Sequence, residues 1–413
     1  MRVSLQSIRL RARRVVVVAL LLWTGAIPAR GQDVQALPTT DPADRAPIRF
    51  GPFYLLPTLA VTDIGIDTNV FNDDQEPQED FTLTLVPRLE AGLRVGPVRA
   101  TFVDDVQYVW FKELKSERSV NGLIGGEFEV RWTRLRPFIR AEAARTRQRQ
   151  GDEIDARARR TSRLYASGVD IGVASRTWIA LEYRYATSAF DEGEVYEGVD
   201  LARALNNVTQ TASVGLRFEL TPLTSFAITV RAEKARFDES AFRDSDSYMI
   251  LGVFDFDPDA LLAGQATIGY RNLQARSVNV ADFRGLVGSV AVTYSAPTST
   301  RLGVTFGRNP SFSFEDLYPY FLSTDIGVSV TQRIAGPFEV NARGRRAWLE
   351  YSPLEGAALE RTDMVDSYGA GVGYRLGDFS RLGFNVERIE RRSDVPSRGY
   401  LGTRYFGSVA YGF

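Results

Sequence analysis

The chain has 413 residues, with 50 Lys and Arg against 51 Asp and Glu, and a formal net charge of -1 that offers nucleic acid no overall attraction. It contains no Cys, which excludes a disulfide framework, a thiolate metal site and a lipid-modified N-terminal cysteine. It contains no His either, which removes the commonest general base, the commonest metal ligand and every Ser-His or Cys-His nucleophile.

Residues 1–31 read as a signal peptide. MRVSLQSIRLRARR carries five arginines, and the apolar run from Val15 to Trp23 is shorter than the roughly 20 residues a spanning helix needs. IPARG then supplies a small-residue cleavage region ending at Gly31. Residues 32–49, which include LPTTDPADRAP, read as a periplasmic linker, and residues 50–413 as the folded body. No later stretch reaches 18 apolar residues, so no transmembrane helix is expected.

From Phe53 onward the chain alternates with period two. In DFTLTLVPRLEAGLRV, Phe81, Leu83, Leu85, Leu89, Ala91 and Leu93 oppose Thr82, Thr84, Arg88, Glu90 and Arg94. NNVTQTASVGLRFELT sets Val208, Ala212, Val214, Leu216, Phe218 and Leu220 against Thr209, Thr211, Ser213, Arg217 and Glu219. YGAGVGYRLG repeats the split near residue 370, and TRYFGSVAYGF closes the chain with Tyr405, Val409, Tyr411 and Phe413 on one face. A β-sandwich would also alternate, but the links do not suit one. Short ones (95–98, 133–137, 174–177, 220–225, 257–261, 295–300, 335–337, 377–380) alternate with long polar ones (67–80, 112–119, 147–161, 187–207, 236–247, 272–283, 308–319, 350–366, 390–400). Tight turns alternating with longer outer loops are the pattern of a transmembrane β-barrel. The expected fold is all-β: a single antiparallel up-and-down barrel of about 18 strands, or 16 if the segment near Phe53 to Ile66 or near Tyr248 to Phe256 is not one.

Aromatic residues gather at both ends of the strands, as interfacial girdles require. Phe138, Trp178, Phe226, Tyr294, Phe338, Phe379 and Tyr411 lie near the short turns; Trp110, Tyr185, Phe237, Tyr248, Trp348 and Tyr368 lie near the long loops.

The apolar alternation into a terminal Phe resembles the C-terminal signature of bacterial outer-membrane barrels. FGPFYLLPTLAVTDIGIDTNVFNDD resembles the opening of the outer-membrane β-barrel porins of the type 2 group. The resemblance implies residence in the outer membrane and reading of Tyr405, Val409, Tyr411 and Phe413 as an assembly signal by the barrel assembly machinery. It brings no catalytic residues.

Candidate pore-lining residues are the charged ones opposite the apolar face: Arg88, Glu90, Glu129, Arg131, Arg140, Glu142, Arg217, Glu219, Arg231, Glu233, Arg343, Arg345 and Arg375. Several stand two apart and are placed to pair, as are Glu182 and Arg184. They make either a hydrated channel with a transverse field or a cross-strand network that satisfies the wall. The acidic loops DTNVFNDDQEPQED and FDEGEVYEGVD lack EF-hand spacing and read as solvated surface, so no cofactor or metal is expected. RTRQRQGDEIDARARRTSR holds seven arginines between Arg145 and Arg163. It could meet lipopolysaccharide phosphates, fold into the pore as a constriction, or form an exposed loop with a short helix.

The expected function is a porin passing small solutes by diffusion, with outer-membrane lipid and lipopolysaccharide as surroundings and no nucleic-acid partner. Two alternatives are a conduit or structural component of surface polysaccharide export and a carboxylate-dependent glycoside hydrolase, for which no acidic pair is singled out by spacing.

Overall fold

The computed structural model describes residues 46–257, 260–296, 299–356, 360–377 and 380–412; the signal peptide, most of the linker, Phe379 and Phe413 lie outside them. Eighteen strands form one closed sheet. They begin with β1 (Phe53–Asp67), β2 (Asp80–Val95), β3 (Val98–Phe111), β4 (Ser119–Val130), β5 (Leu135–Gln150) and β6 (Ile154–Ala174). Next come β7 (Thr177–Phe190), β8 (Asn207–Thr221), β9 (Thr224–Phe237), β10 (Ser245–Phe256), β11 (Leu262–Ala275) and β12 (Phe283–Ser295). The last six are β13 (Thr300–Phe312), β14 (Tyr320–Ala335), β15 (Phe338–Ser352), β16 (Arg361–Leu376), β17 (Ser380–Arg392) and β18 (Tyr400–Tyr411). Each pairs antiparallel with its chain neighbour, and β18 pairs with β1, from Leu59↔Tyr411 to Asp67↔Arg404, so every strand has a partner on both sides and the sheet is closed. Closure is what a lipid environment demands, because an unpaired backbone group in hydrocarbon costs several kcal/mol.

Both doubtful segments are strands, which gives 18 rather than 16. The stretch read as linker ends in structure: Ile48–Phe50 pairs back on Phe53–Leu55, and Ala46 packs against Tyr54. The link expected at 133–137 falls at 131–134, which moves Arg131 out of the strand and onto the short-turn rim.

Period-two alternation sorts the side chains as the physics of the two solvents requires. Val214 (55% exposed), Ile228, Val230, Ile250, Ile268 and Val328 face outward, while Arg217, Glu233 and Arg271 face inward. In β1 the alternation slips. A bulge at Thr62 and Asp63 interrupts the register to both β2 and β18, so Leu59 and Val61 face out before it and Ile64 and Ile66 after it. Asp63 carries φ of +52°, a left-handed conformation that Asp tolerates, and its carboxylate accepts from Arg404 at 2.9 Å across the seam.

The girdle expectation needs correction at three positions. Tyr294, Phe338, Tyr411, Trp110, Tyr248 and Tyr368 are exposed on the outer face. Trp178 is buried inside, with the Arg136 guanidinium 3.9 Å and the Arg217 guanidinium 5.9 Å from its ring. Phe237 joins an internal cluster, and Phe138 falls on the inward parity of β5, beside Arg140. An arginine-rich lumen offers aromatic rings a cation–π partner that hydrocarbon does not.

Candidate channel constriction

At the long-loop end β5 and β6 leave the wall together. The β4–β5 ladder stops at Gly122↔Arg145 and the β6–β7 ladder at Arg160↔Phe190, yet β5 and β6 stay paired to each other out to Gln150↔Ile154. The arginine-rich segment is thus a β-hairpin, not a loop with a helix. Its turn is Gly151–Asp152–Glu153, where Gly151 supplies φ of +74°. Asn121, 2% exposed, accepts from the Arg147 backbone N–H at 2.7 Å and caps the place where the ladder ends.

The hairpin tip reaches the far side of the barrel. Asp152 accepts a two-pronged contact from Arg345 of β15, at 3.1 and 2.7 Å. Arg391 of β17, 2% exposed, donates to the Asp152 carbonyl at 3.0 Å, the Glu153 carbonyl at 3.3 Å and the Asp155 carboxylate at 2.5 Å. Its other nitrogen meets Asp363 of β16, which is also held by Arg361 at 3.0 and 2.7 Å. Arg398 donates to the Glu153 carbonyl at 2.5 Å and pairs with Glu315. Between barrel strands numbered 5–6 and 15–17 of 18 lies about half the circumference, so the tip crosses the lumen. Asp152, Asp155, Asp363, Arg391 and Arg398 are tolerated away from water because each is hydrogen-bonded to an opposite charge.

Apolar contacts hold the hairpin's other side. Residues 191–206 fold inward through the short helix α1 (Leu201–Leu205), whose N-cap Asp200 accepts from the Ala202 and Arg203 amides at 2.9 and 3.3 Å. Leu201, Ala204 and Leu205 pack against Ile154 and Ala158 of the hairpin and against Phe190, Phe237 and Phe314. Burying side chains of this size contributes about 1.5–3 kcal/mol each. Glu153 is enclosed beneath this layer: Ser313 Oγ donates to it at 2.5 Å, and burial, helped by Glu315, pushes its carboxyl up to about 7.

Most inward candidates take part in wall networks. Arg88 meets Glu90 at 2.8 Å and Asp105 at 3.5 Å; Arg131 meets Glu129 at 2.6 Å; Glu182 pairs with Arg184. Arg140 and Arg217, expected to pair two residues along their own strands, pair across strands instead. Arg140 goes to Glu127, its register partner, at 2.7 Å. Arg217 goes to Asp170 at 2.6 Å, and Glu233 receives Arg271 at 2.7 Å. Arg343 meets Glu387 at 3.0 Å, and Arg375 and Arg381 share Glu339 at 3.1 and 2.5 Å. Glu142 and Glu219 form no ion pair among the described residues, and Arg231 lies inward beside Glu233 on the same strand. Only Arg345 among the candidates touches the hairpin tip. Asp152, Glu153, Asp155, Arg391 and Arg398 were not expected, and only the GDE turn inside an alternating RTRQRQ…DARARR run marks them in the sequence.

Residues 41–411 match the model of the family described as "Putative beta-barrel porin 2". The chain belongs to that family. This porin-family barrel is an outer-membrane protein by that membership. Among solved structures it is similar to a BenF-like porin from Pseudomonas fluorescens Pf-5, with 10% identity, 87% of this chain and 98% of that chain covered, and a TM-score of 0.48. It is also similar to OpdL of Pseudomonas aeruginosa, with 10% identity, 86% and 98% covered and a TM-score of 0.45. The siderophore receptor PirA of Pseudomonas aeruginosa matches at 8% identity, with 87% and 80% covered and a TM-score of 0.40. No curated protein matches the chain.

Proposed function

We propose that this porin-family barrel is a diffusion channel for small hydrophilic solutes, with its passage narrowed by the β5–β6 hairpin and lined by Arg88, Glu90, Glu129, Arg140, Glu142, Arg217, Glu219, Arg231, Glu233, Arg343, Arg345 and Arg375, with Arg131 at the short-turn mouth. The observation that carries the reading is the tip lodged across the lumen on Arg345 and Arg391. A barrel of 18 strands has room for an aqueous path beside such an insert. Charges of both signs along the wall favour neither anions nor cations strongly. An extended polysaccharide would have to displace the hairpin and its ion pairs, so the arrangement supports small solutes over a polymer conduit. Asp152 and Asp155 at the tip each accept from an arginine and Glu153 accepts from Ser313 Oγ, so both aspartates are engaged in ion pairs rather than free to act on a glycoside.

The test is reconstitution in planar bilayers and in liposomes, with swelling measured in sugars of increasing size. Replacing residues 147–159 by a two-residue turn should raise conductance severalfold and admit larger sugars. If neither the natural protein nor the shortened one passes ions or sugars, the channel reading is wrong.

A further inference from the structure

Where the hairpin turns into the lumen it leaves a cleft of about 570 Å³ in the outer face of the wall, at the long-loop end. Its floor is built by Tyr108, Trp110 and Val120, which are 47%, 38% and 63% exposed and face outward. Its rim carries Arg118, Arg145 and Arg159. Beside it, Ser119, Val120 and Asn121 of β4 have strand partners on the β3 side only. A backbone edge of this kind cannot sit in hydrocarbon, which sets the cleft at the level of the lipid headgroups.

The charge on this rim is unbalanced. The Arg118 guanidinium stands 5.0 Å from the Trp110 ring centroid, and its donors reach the backbone carbonyls of Phe111 and Lys112. Arg145 meets Asp191 at 2.9 Å with its side chain still 67% exposed. Arg159 is exposed and, like Arg163 four residues further along the same outward face, has no ion-pair partner among the described residues. Among the ion pairs of the described residues, Asp191 is the one carboxylate that meets Arg118, Arg145 or Arg159. In the hairpin's interior the same arginine-rich stretch is neutralised: Arg147 and Arg157 both reach Glu117, at 3.3 and 3.7 Å.

We infer that this cleft binds the phosphorylated headgroup of an outer-leaflet glycolipid, with Arg118, Arg145 and Arg159 on its phosphates and an acyl chain along Tyr108, Trp110 and Val120. Guanidinium groups suit this ligand because they offer phosphate paired donors and stay charged at a water-poor interface. The apolar floor and the charged rim adjoin in one cleft, so an anchored amphiphile can meet both at once.

The experiment is native mass spectrometry of the purified full barrel in detergent, titrated with bis-phosphorylated lipid A. Three arms accompany it: the dephosphorylated lipid, inorganic phosphate, and the triple variant Arg118→Gln, Arg145→Gln, Arg159→Gln. The natural protein should retain the phosphorylated lipid and lose about tenfold or more in affinity with either the dephosphorylated lipid or the triple variant. Millimolar phosphate should not displace it, because the acyl contact contributes. Equal binding of both lipids, or undiminished binding by the triple variant, would overturn the inference. Displacement by phosphate alone would likewise reject a lipid site. The variant's folded fraction is read from heat-modifiable gel mobility, and a matching Lys triple variant, which keeps the charge, should recover part of the binding if the Gln variant fails to fold.

Discussion

Arg391→Met is the sharpest probe of the constriction. The substitution keeps an unbranched apolar stem, two atoms shorter than arginine, and deletes its donors to the Asp152 and Glu153 carbonyls, to Asp155 and to Asp363. Removing one partner of a buried ion pair costs about 3–5 kcal/mol, since the opposite charge is left without compensation. The lower end applies, because Asp363 keeps Arg361 and Ser393, and Asp155 keeps the Asn72 amide at 3.2 Å. A loss of about 3 kcal/mol in the docked state shifts the ratio of docked to released hairpin by about a hundredfold, at roughly 1.4 kcal/mol per factor of ten. Single-channel recording should show this as a rise of that order in time spent at a larger conductance level, in protein whose barrel still runs folded on a gel. Asp155→Asn should do less, and in the double variant the two effects should fall short of additive because the residues touch. Unchanged conductance and dwell times in well-folded Arg391→Met would show that this contact does not hold the passage narrow.

The hairpin should respond to pH through Glu153. Its carboxyl ordinarily titrates near 4.5 and is raised to about 7 when docked, so the docked tip binds the proton more tightly than the released one. Docking is therefore fully supported below about 4.5 and loses that support as pH rises through about 7, by at most about 3 kcal/mol. Open time should increase between pH 5 and 8 in bilayer recordings, and Glu153→Gln should flatten the profile; an equally steep profile in that variant would assign the dependence elsewhere. On the wall, Val214→Arg or Leu216→Arg should cost roughly 2–4 kcal/mol near the midplane, measured by denaturant unfolding from lipid vesicles. Arg217→Leu should cost less, since it faces the lumen beside Asp170, and equal costs at 216 and 217 would contradict the assigned register.

The wall was legible because lipid and water impose opposite demands on adjacent residues. Leu216 and Arg217 could be assigned to opposite faces without a structure for that reason. The hairpin was not, since neither of its faces meets hydrocarbon: RTRQRQ and DARARR alternate, but between one polar environment and another. β1 shows a different limit. Its single extra residue at the bulge reverses the parity of everything after Asp63, and no pattern in VTDIGID announces where that happens. Ion-pair partners such as Arg217 with Asp170 depend on the stagger between strands two apart, which alternation along one strand does not carry. Trp178 was placed in the girdle because its position along the strand fits one; its inward parity follows only from the register Arg217↔Trp178.

The seam between β1 and β18 has a consequence in time. Seventeen of the eighteen wall pairings join neighbours in sequence and can form by local search, but the pairing of Leu59 with Tyr411 or Ile66 with Tyr405 closes a loop of nearly the whole chain. The entropy cost of such a closure grows only logarithmically with length, about 0.6 kcal/mol per doubling, so the seam is not thermodynamically weak. Kinetically it comes last, because contacts between segments so far apart in the chain are the slowest to find. Until then β1 presents an unpaired edge with Phe53, Leu59 and Ile66 along it, a surface that invites other strands. The interval before the seam forms is the period in which this chain is most exposed to aggregation, and its length is set by the farthest-separated pairing rather than by the seventeen easy ones.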